Sequence, residues 1–221
     1  MNVKHHLDDA TIVSFAAGTL PAPLSLVVSA HLSFCDSCRE RVRNAELIGS
    51  AVFQQSEPVE MSQGALNNVL ERLDAETRKP EPVVSVNVSA GRDGLLPPQL
   101  RKVLGVPVSE IKWRRVARGV NLHQIDLGDE HQGKLFLMKI AAGRALPEHS
   151  HGGSELTLVL SGSYSDRFGT FARGDIADLD DEAEHQPIVD PGEECICLVA
   201  SEEPARFKGI LPKLFQPFVG I

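Results

Sequence analysis

Residues 143–162 read GRALPEHSHGGSELTLVLSG. They hold His149 and His151 one residue apart, a Gly152-Gly153 turn, and Glu155 at the head of an apolar run. On a strand, side chains two apart point to the same face, so both imidazoles share one. The glycine pair lets the chain turn, and Glu155 then returns from the neighbouring segment towards that face. Two imidazoles and a carboxylate meeting this way form a donor set for Zn, Fe, Mn, Ni or Cu. The segment therefore predicts a metal site in the mouth of an antiparallel barrel.

The surrounding sequence supports the barrel. From residue 99 onward, LHQIDL (122–127), KLFLMKI (134–140), ELTLVLSG (155–162), GDIADL (174–179) and ECICLVA (194–200) are short strand-like runs separated by turn residues. Such a succession predicts a sandwich or barrel over 99–221. Before residue 80 the apolar period is helical. DDATIVSFAAGTLP predicts a first helix with Asp8 or Asp9 at its start, where acid is favoured. In APLSLVVSAHL, Leu24, Val27, Val28 and His31 form one stripe at i, i+3, i+4 and i+7. A third helix runs from CDSC to about Gln54, and SQGALNNVLERLDAETR gives a fourth with Leu66, Val69, Leu70 and Leu73 inward. KPEPVVSVNVSAGRDGLLPP (79–98) is rich in Pro, Gly and Ser and reads as a linker, with VVSVNV a possible short strand inside it. The expected order is a helical domain over 1–80, a linker over 81–98 and a β domain over 99–221, an α+β chain.

A formal net charge of −8 and the lack of a basic stripe argue against a direct nucleic-acid reader. No run approaches a membrane span, and the opening MNVKHHLDD is too polar for a signal peptide, so a reducing cytoplasm is expected. In that setting four cysteines suggest metal ligands or redox thiols rather than structural disulfides.

Two of those cysteines lie in AHLSFCDSC (30–38), which sets His31, Cys35 and Cys38 at spacings of four and three across a turn between helices. A thiolate at a helix N-terminus is favoured by the dipole and the free N–H groups, and zinc requires the thiolate. Structural zinc sites are closed by four protein ligands. His5 and His6 are the other histidines of this half, and either could fold back to complete a Cys2His2 set. Such a zinc would contribute folding energy to a small domain. A thioredoxin-like redox pair would need a preceding strand in a βαβ setting, and these flanks are helical. Cys195 and Cys197 share a strand face; they read as small buried hydrophobes or as a redox-sensing pair beside the barrel metal. His123 and His131 match no pattern and read as surface residues.

The two clusters carry family resemblances. His31-x3-Cys35-x2-Cys38, with a histidine about 25 residues upstream in a short helical segment, resembles the zinc-binding anti-sigma family. That resemblance implies His6, not His5, as the fourth ligand. Gly143-x5-His149-x-His151-x3-Glu155-x6-Gly162 matches the first motif of the cupins at every fixed position. The second cupin motif is expected over 168–189, where Gly174-Asp175 supplies the turn and His185 the candidate fourth ligand. This segment departs from the pattern: Ala172 stands where Pro is usual, His185 comes late after DLDDEAE, and no Asn follows. Those departures suit a cupin without enzymatic use.

Together the halves resemble the cupin-bearing anti-sigma factors of the singlet-oxygen response in photosynthetic bacteria. The likeness extends from VKHHLDDA (3–10) through HLSFCDSC, ELTLVLSG and ECICLVA to LPKLFQPFVGI (211–221). It implies a zinc-bound helical domain that sequesters an extracytoplasmic-function sigma factor, one to one. It also implies a cupin, holding zinc or another divalent transition metal, that senses singlet oxygen or related oxidants. Apolar helix residues left unfilled would bind the partner, with Val27, Val28, Phe53, Val69 and Leu73 as candidates. The alternative is a metal-dependent cupin dioxygenase or isomerase with a helical regulatory domain.

Overall fold

The computed structural model describes residues 3–75, 96–128 and 132–207. VVSVNV, most of the expected linker, His131 and the closing LPKLFQPFVGI lie outside the described residues.

Four helices precede the linker: α1 (Asp9–Ala16), α2 (Ala22–His31), α3 (Asp36–Gln54) and α4 (Ala65–Ala75). Their starts follow from local chemistry. Asp8 caps α1 by accepting from Thr11 N at 2.6 Å. Pro23 sits in the first turn of α2, where its missing N–H costs nothing. Cys35 caps α3, its Sγ accepting from Cys38 N at 3.3 Å. A fifth helix, α5 (Pro98–Leu104), ends on Gly105 in the left-handed conformation. Leu96 before it is buried, so residues 96–98, expected to be linker, belong to the folded body.

The remaining described residues form β1 (Arg114–Ala117), β2 (Val120–Gln124), β3 (Lys134–Ile140), β4 (His149–Ser150), β5 (Glu155–Ser161), β6 (Ser163–Asp166), β7 (Gly169–Ala172), β8 (Ile176–Leu179), β9 (Glu184–His185), β10 (Ile188–Val189), β11 (Cys195–Ser201) and β12 (Arg206–Phe207). One antiparallel sheet has the order β1-β2-β3-β11-β5-β8; two three-stranded sheets, β10-β6-β7 and β12-β4-β9, complete a cupin-like sandwich. Among the described residues the strands do not close into a barrel. The strands β4, β9, β10 and β12 are two residues long, and none of them pairs with the large sheet.

The large sheet is buried on both faces. Leu156, Leu158, Leu160, Ile196 and Leu198 share one apolar cluster with Leu24, Val27 and Val28 of α2. Val159, Cys195, Cys197 and Val199, alternating with them, face a second cluster with Tyr164 and Phe171 inside the sandwich. This explains why ELTLVLSG and ECICLVA are almost continuously apolar: a strand covered on both sides needs no polar face. It also corrects the candidate partner surface. Val27 and Val28 are 0% exposed because the stripe on α2 is spent on β3, β5 and β11. Phe53, Val69 and Leu73 are exposed, Phe53 by 79%; Leu66 and Leu70, read as inward, are exposed as well.

Candidate metal centres

Three chain segments build the first cluster. The turn between α2 and α3 is closed by Phe34 N and Cys35 N, both donating to His31 O, which sets His31 and Cys35 side by side. Cys38 follows one helical turn later. The N-terminal arm returns across α3, fixed by Arg41, which donates to Leu7 O and to Asp9 Oδ1, each at 2.6 Å. This delivers His6, whose Nδ1 lies 3.2 Å from Cys35 Sγ and 3.7 Å from Cys38 Sγ. One donor atom from each of His6, His31, Cys35 and Cys38 lies within 4.8 Å of the others. His5 goes elsewhere: its ring stacks on Phe171 at 4.0 Å, and its Nε2 lies 3.1 Å from Thr170 O.

The chemistry of this set fits a metal ion. His31 Nδ1 donates to Gly174 O at 3.0 Å, so Nε2 carries the lone pair, and that atom is buried without a partner. Burial pushes the His31 pKa down to about 4, which keeps the ring neutral and able to ligate. Burial also pushes the Cys38 thiol up to about 11. A bound cation reverses that preference, because a coordinating thiol loses its proton.

The second cluster lies inside the sandwich. β4 and β9 pair so that His149 and His185 are direct cross-strand partners. The register explains how His185 reaches the site despite the acidic stretch before it. One donor atom from each of His149, His151, Glu155 and His185 lies within 4.8 Å of the others, and all four residues are buried. His149 Nδ1 donates to Pro147 O at 2.9 Å, and His185 Nδ1 donates to Asp166 Oδ2 at 2.8 Å. Both rings therefore present a lone pair at Nε2, and these two atoms are 3.1 Å apart. Two facing lone pairs in a buried site call for a cation between them. His151 Nδ1 lies 3.2 Å from Glu155 Oε2, and both ring nitrogens of His151 are buried without a hydrogen bond. Burial alone would raise the Glu155 pKa, but His151 and the neighbouring imidazoles overcome it and hold the carboxyl below its usual range. Burial lowers the His149 pKa, which favours the neutral ring. Three imidazoles and a carboxylate suit a divalent transition metal.

Cys195 and Cys197 are buried free thiols whose sulfurs lie 3.6 Å apart. The hydrogen bond between Cys197 and Cys195 together with burial pushes the Cys197 thiol upward. His123 places its Nδ1 3.1 Å from Lys112 O and belongs to neither cluster. Asp166, whose side chain is fully buried against His185, was not apparent from the sequence. It lies in YSDRFG on β6, and only the pairing of β6 with β7 and the path to β9 bring it to the site. The role of Gly174 was also hidden, because the Gly-Asp pair was legible only as a turn.

Comparison with known proteins assigns the family. The ChrR cupin-like domain family matches residues 101–204. The anti-sigma-E factor ChrR of Cereibacter sphaeroides is 38% identical over 221 residues, covering the whole of both chains. In the crystal structure of Rhodobacter sphaeroides SigE in complex with the anti-sigma ChrR, the matching chain superposes with a TM-score of 0.74 at 34% identity, over 90% of this chain and 99% of that one. With both halves matched end to end, the chain belongs to the ChrR family of anti-sigma factors.

Proposed function

We propose that this protein sequesters an extracytoplasmic-function sigma factor in the cytoplasm, one to one, and releases it when its cupin half meets singlet oxygen or a related oxidant. The observation that carries this reading is an uncovered apolar surface. Leu47, Ile48, Val52 and Phe53 on α3, with Leu66, Val69, Leu70 and Leu73 on α4, are all exposed large hydrophobics. Exposed apolar area of this extent marks an interaction site. A relative that matches the whole chain is an anti-sigma factor, and a solved structure similar to this chain is that of an anti-sigma ChrR in complex with SigE.

In this reading His6, His31, Cys35 and Cys38 hold zinc and fix α3 against the N-terminal arm. His149, His151, Glu155 and His185 hold zinc or another divalent transition metal as the sensing centre. The protein is a regulator that binds a protein rather than turning over a small molecule, and it contacts neither nucleic acid nor membrane directly. No helix among the described residues is long and apolar enough to cross a membrane.

The test is capture of the cognate sigma factor by the purified chain, in the dark and under illumination with a singlet-oxygen photosensitiser. One sigma factor should be held per chain in the dark and lost on illumination, whereas a His149→Ala/His151→Ala variant should hold it under both conditions. Failure to capture any sigma factor in the dark would overturn the reading.

A further inference from the structure

The first metal cluster is not made by the helical half alone. His31 donates from Nδ1 to the carbonyl of Gly174, a residue of the turn between β7 and β8, 143 positions away in sequence. The same Gly174 peptide donates its N–H to Val159 O at 2.8 Å, and Val159 N donates to Asp175 O at 3.0 Å, so β5 grips the turn on both sides. Asp175 is 2% exposed and joins the turn to the N-terminal arm. Its Oδ1 accepts from Lys4 N at 2.6 Å and His5 N at 3.1 Å, and its Oδ2 accepts from Ala172 N at 2.9 Å. Further along β8, Asp178 Oδ2 accepts from Asp8 N at 3.0 Å. Thus the arm that delivers His6 and the ring of His31 are both held by one edge of the sandwich.

We propose that the cupin half is the orienting partner of the first metal centre. The Gly174 carbonyl fixes the tautomer and ring angle of His31, Asp175 anchors the segment carrying His6, and the first centre binds its metal more tightly while the two halves are docked. A ligating histidine whose other ring nitrogen loses its partner typically loses about 10–100-fold in metal affinity. By reciprocity, metal at the first centre tightens the docking by the same factor. Asp175 acts through His31 and the arm, so it is a positioning residue. The inference rests on reading the first cluster as a metal site.

Cobalt(II) titration of the full-length chain tests it. The first cluster offers thiolates and the second does not, so thiolate-to-cobalt absorption reports the first site alone. Asp175→Ala should weaken cobalt binding at that site about tenfold or more. Affinity at the cupin site, measured in a Cys35→Ser/Cys38→Ser background with and without Asp175→Ala, should be unchanged. Should Asp175→Ala fail to fold by circular dichroism, Asp178→Ala decides; it frees the arm at a half-buried position away from Gly174 and should weaken the first site a few-fold. Unchanged affinity at the first site in the folded variant, or equal weakening at both sites, overturns the proposal. Absence of the thiolate band in the unmutated chain refutes the metal site itself, a different failure from an intact band with unchanged affinity.

Discussion

The two donor clusters of this protein differ in what holds them in place. Three of the cupin donors, His149, Glu155 and His185, sit on β4, β5 and β9, where sheet hydrogen bonding sets their register, His151 follows β4 directly, and the surrounding core exists without them. The first cluster gathers an N-terminal arm, the end of α2 and the start of α3, which meet through Leu7, Ile12 and Val42 and through the Arg41 bonds to Leu7 O and Asp9, with no sheet to set their register. In the sandwich the scaffold makes the site, and in the helical half the site makes much of the scaffold. Metal loss should therefore disorganise the first region and leave the second folded.

The largest expected effect follows from that contrast. Binding of a structural zinc contributes about 10–16 kcal/mol of apparent free energy in small domains at neutral pH. Cys38→Ser should therefore abolish metal binding at the first cluster, loosen α1 and the arm in hydrogen exchange, and lower sigma-factor affinity more than about 100-fold. Protection in β5 and β11 should change little. Equal loss of protection in both regions would remove the distinction between them.

A smaller effect is expected inside the sandwich. Asp166→Ala removes the acceptor that holds the His185 ring and should weaken the cupin metal about 10–100-fold. The melting temperature and the first centre should stay close to those of the unmutated chain, by calorimetry and by metal competition. Unaltered cupin-metal affinity would show that sheet pairing alone orients His185.

The smallest effects separate packing from recognition on the helices. Val28→Ala opens a cavity between α2 and the large sheet and should destabilise the fold by about 1–3 kcal/mol. Sigma-factor affinity of the folded protein should not change. Phe53→Ala should do the reverse, leaving thermal stability unaltered and weakening sigma-factor binding about tenfold or more, as for an aromatic anchor at an interface. A Val28→Ala variant that loses affinity without losing stability would return α2 to the partner surface.

Much of this architecture was legible in the sequence, because its signals are local. The spacing of His149, His151 and Glu155 is fixed by a strand and a turn. His31, Cys35 and Cys38 are fixed by a helix end and a helix start. The third helix could be followed to Gln54, ahead of the breaker stretch SEPVE (56–60). What could not be read depends on contacts distant in sequence. The stripe of Leu24, Val27 and Val28 predicts a buried face without saying what covers it, and the two-sided burial of ELTLVLSG becomes meaningful only once α2 is seen lying on it. Asp166 carries no spacing signal, and Gly174 carries one only for a turn. One is an acid in a hairpin and the other a turn glycine, and each gains its role from a fold that sets it against a histidine 19 or 143 residues away.

The central claim is that capture depends on the first metal and not on the second. It is tested most directly by the metal content of the complex that a His149→Ala/His151→Ala variant forms with its sigma factor. The account predicts a stable one-to-one complex retaining a single metal ion per chain, bound through Cys35 and Cys38. Loss of sigma-factor capture in that variant, or a stable complex holding no metal, would contradict it.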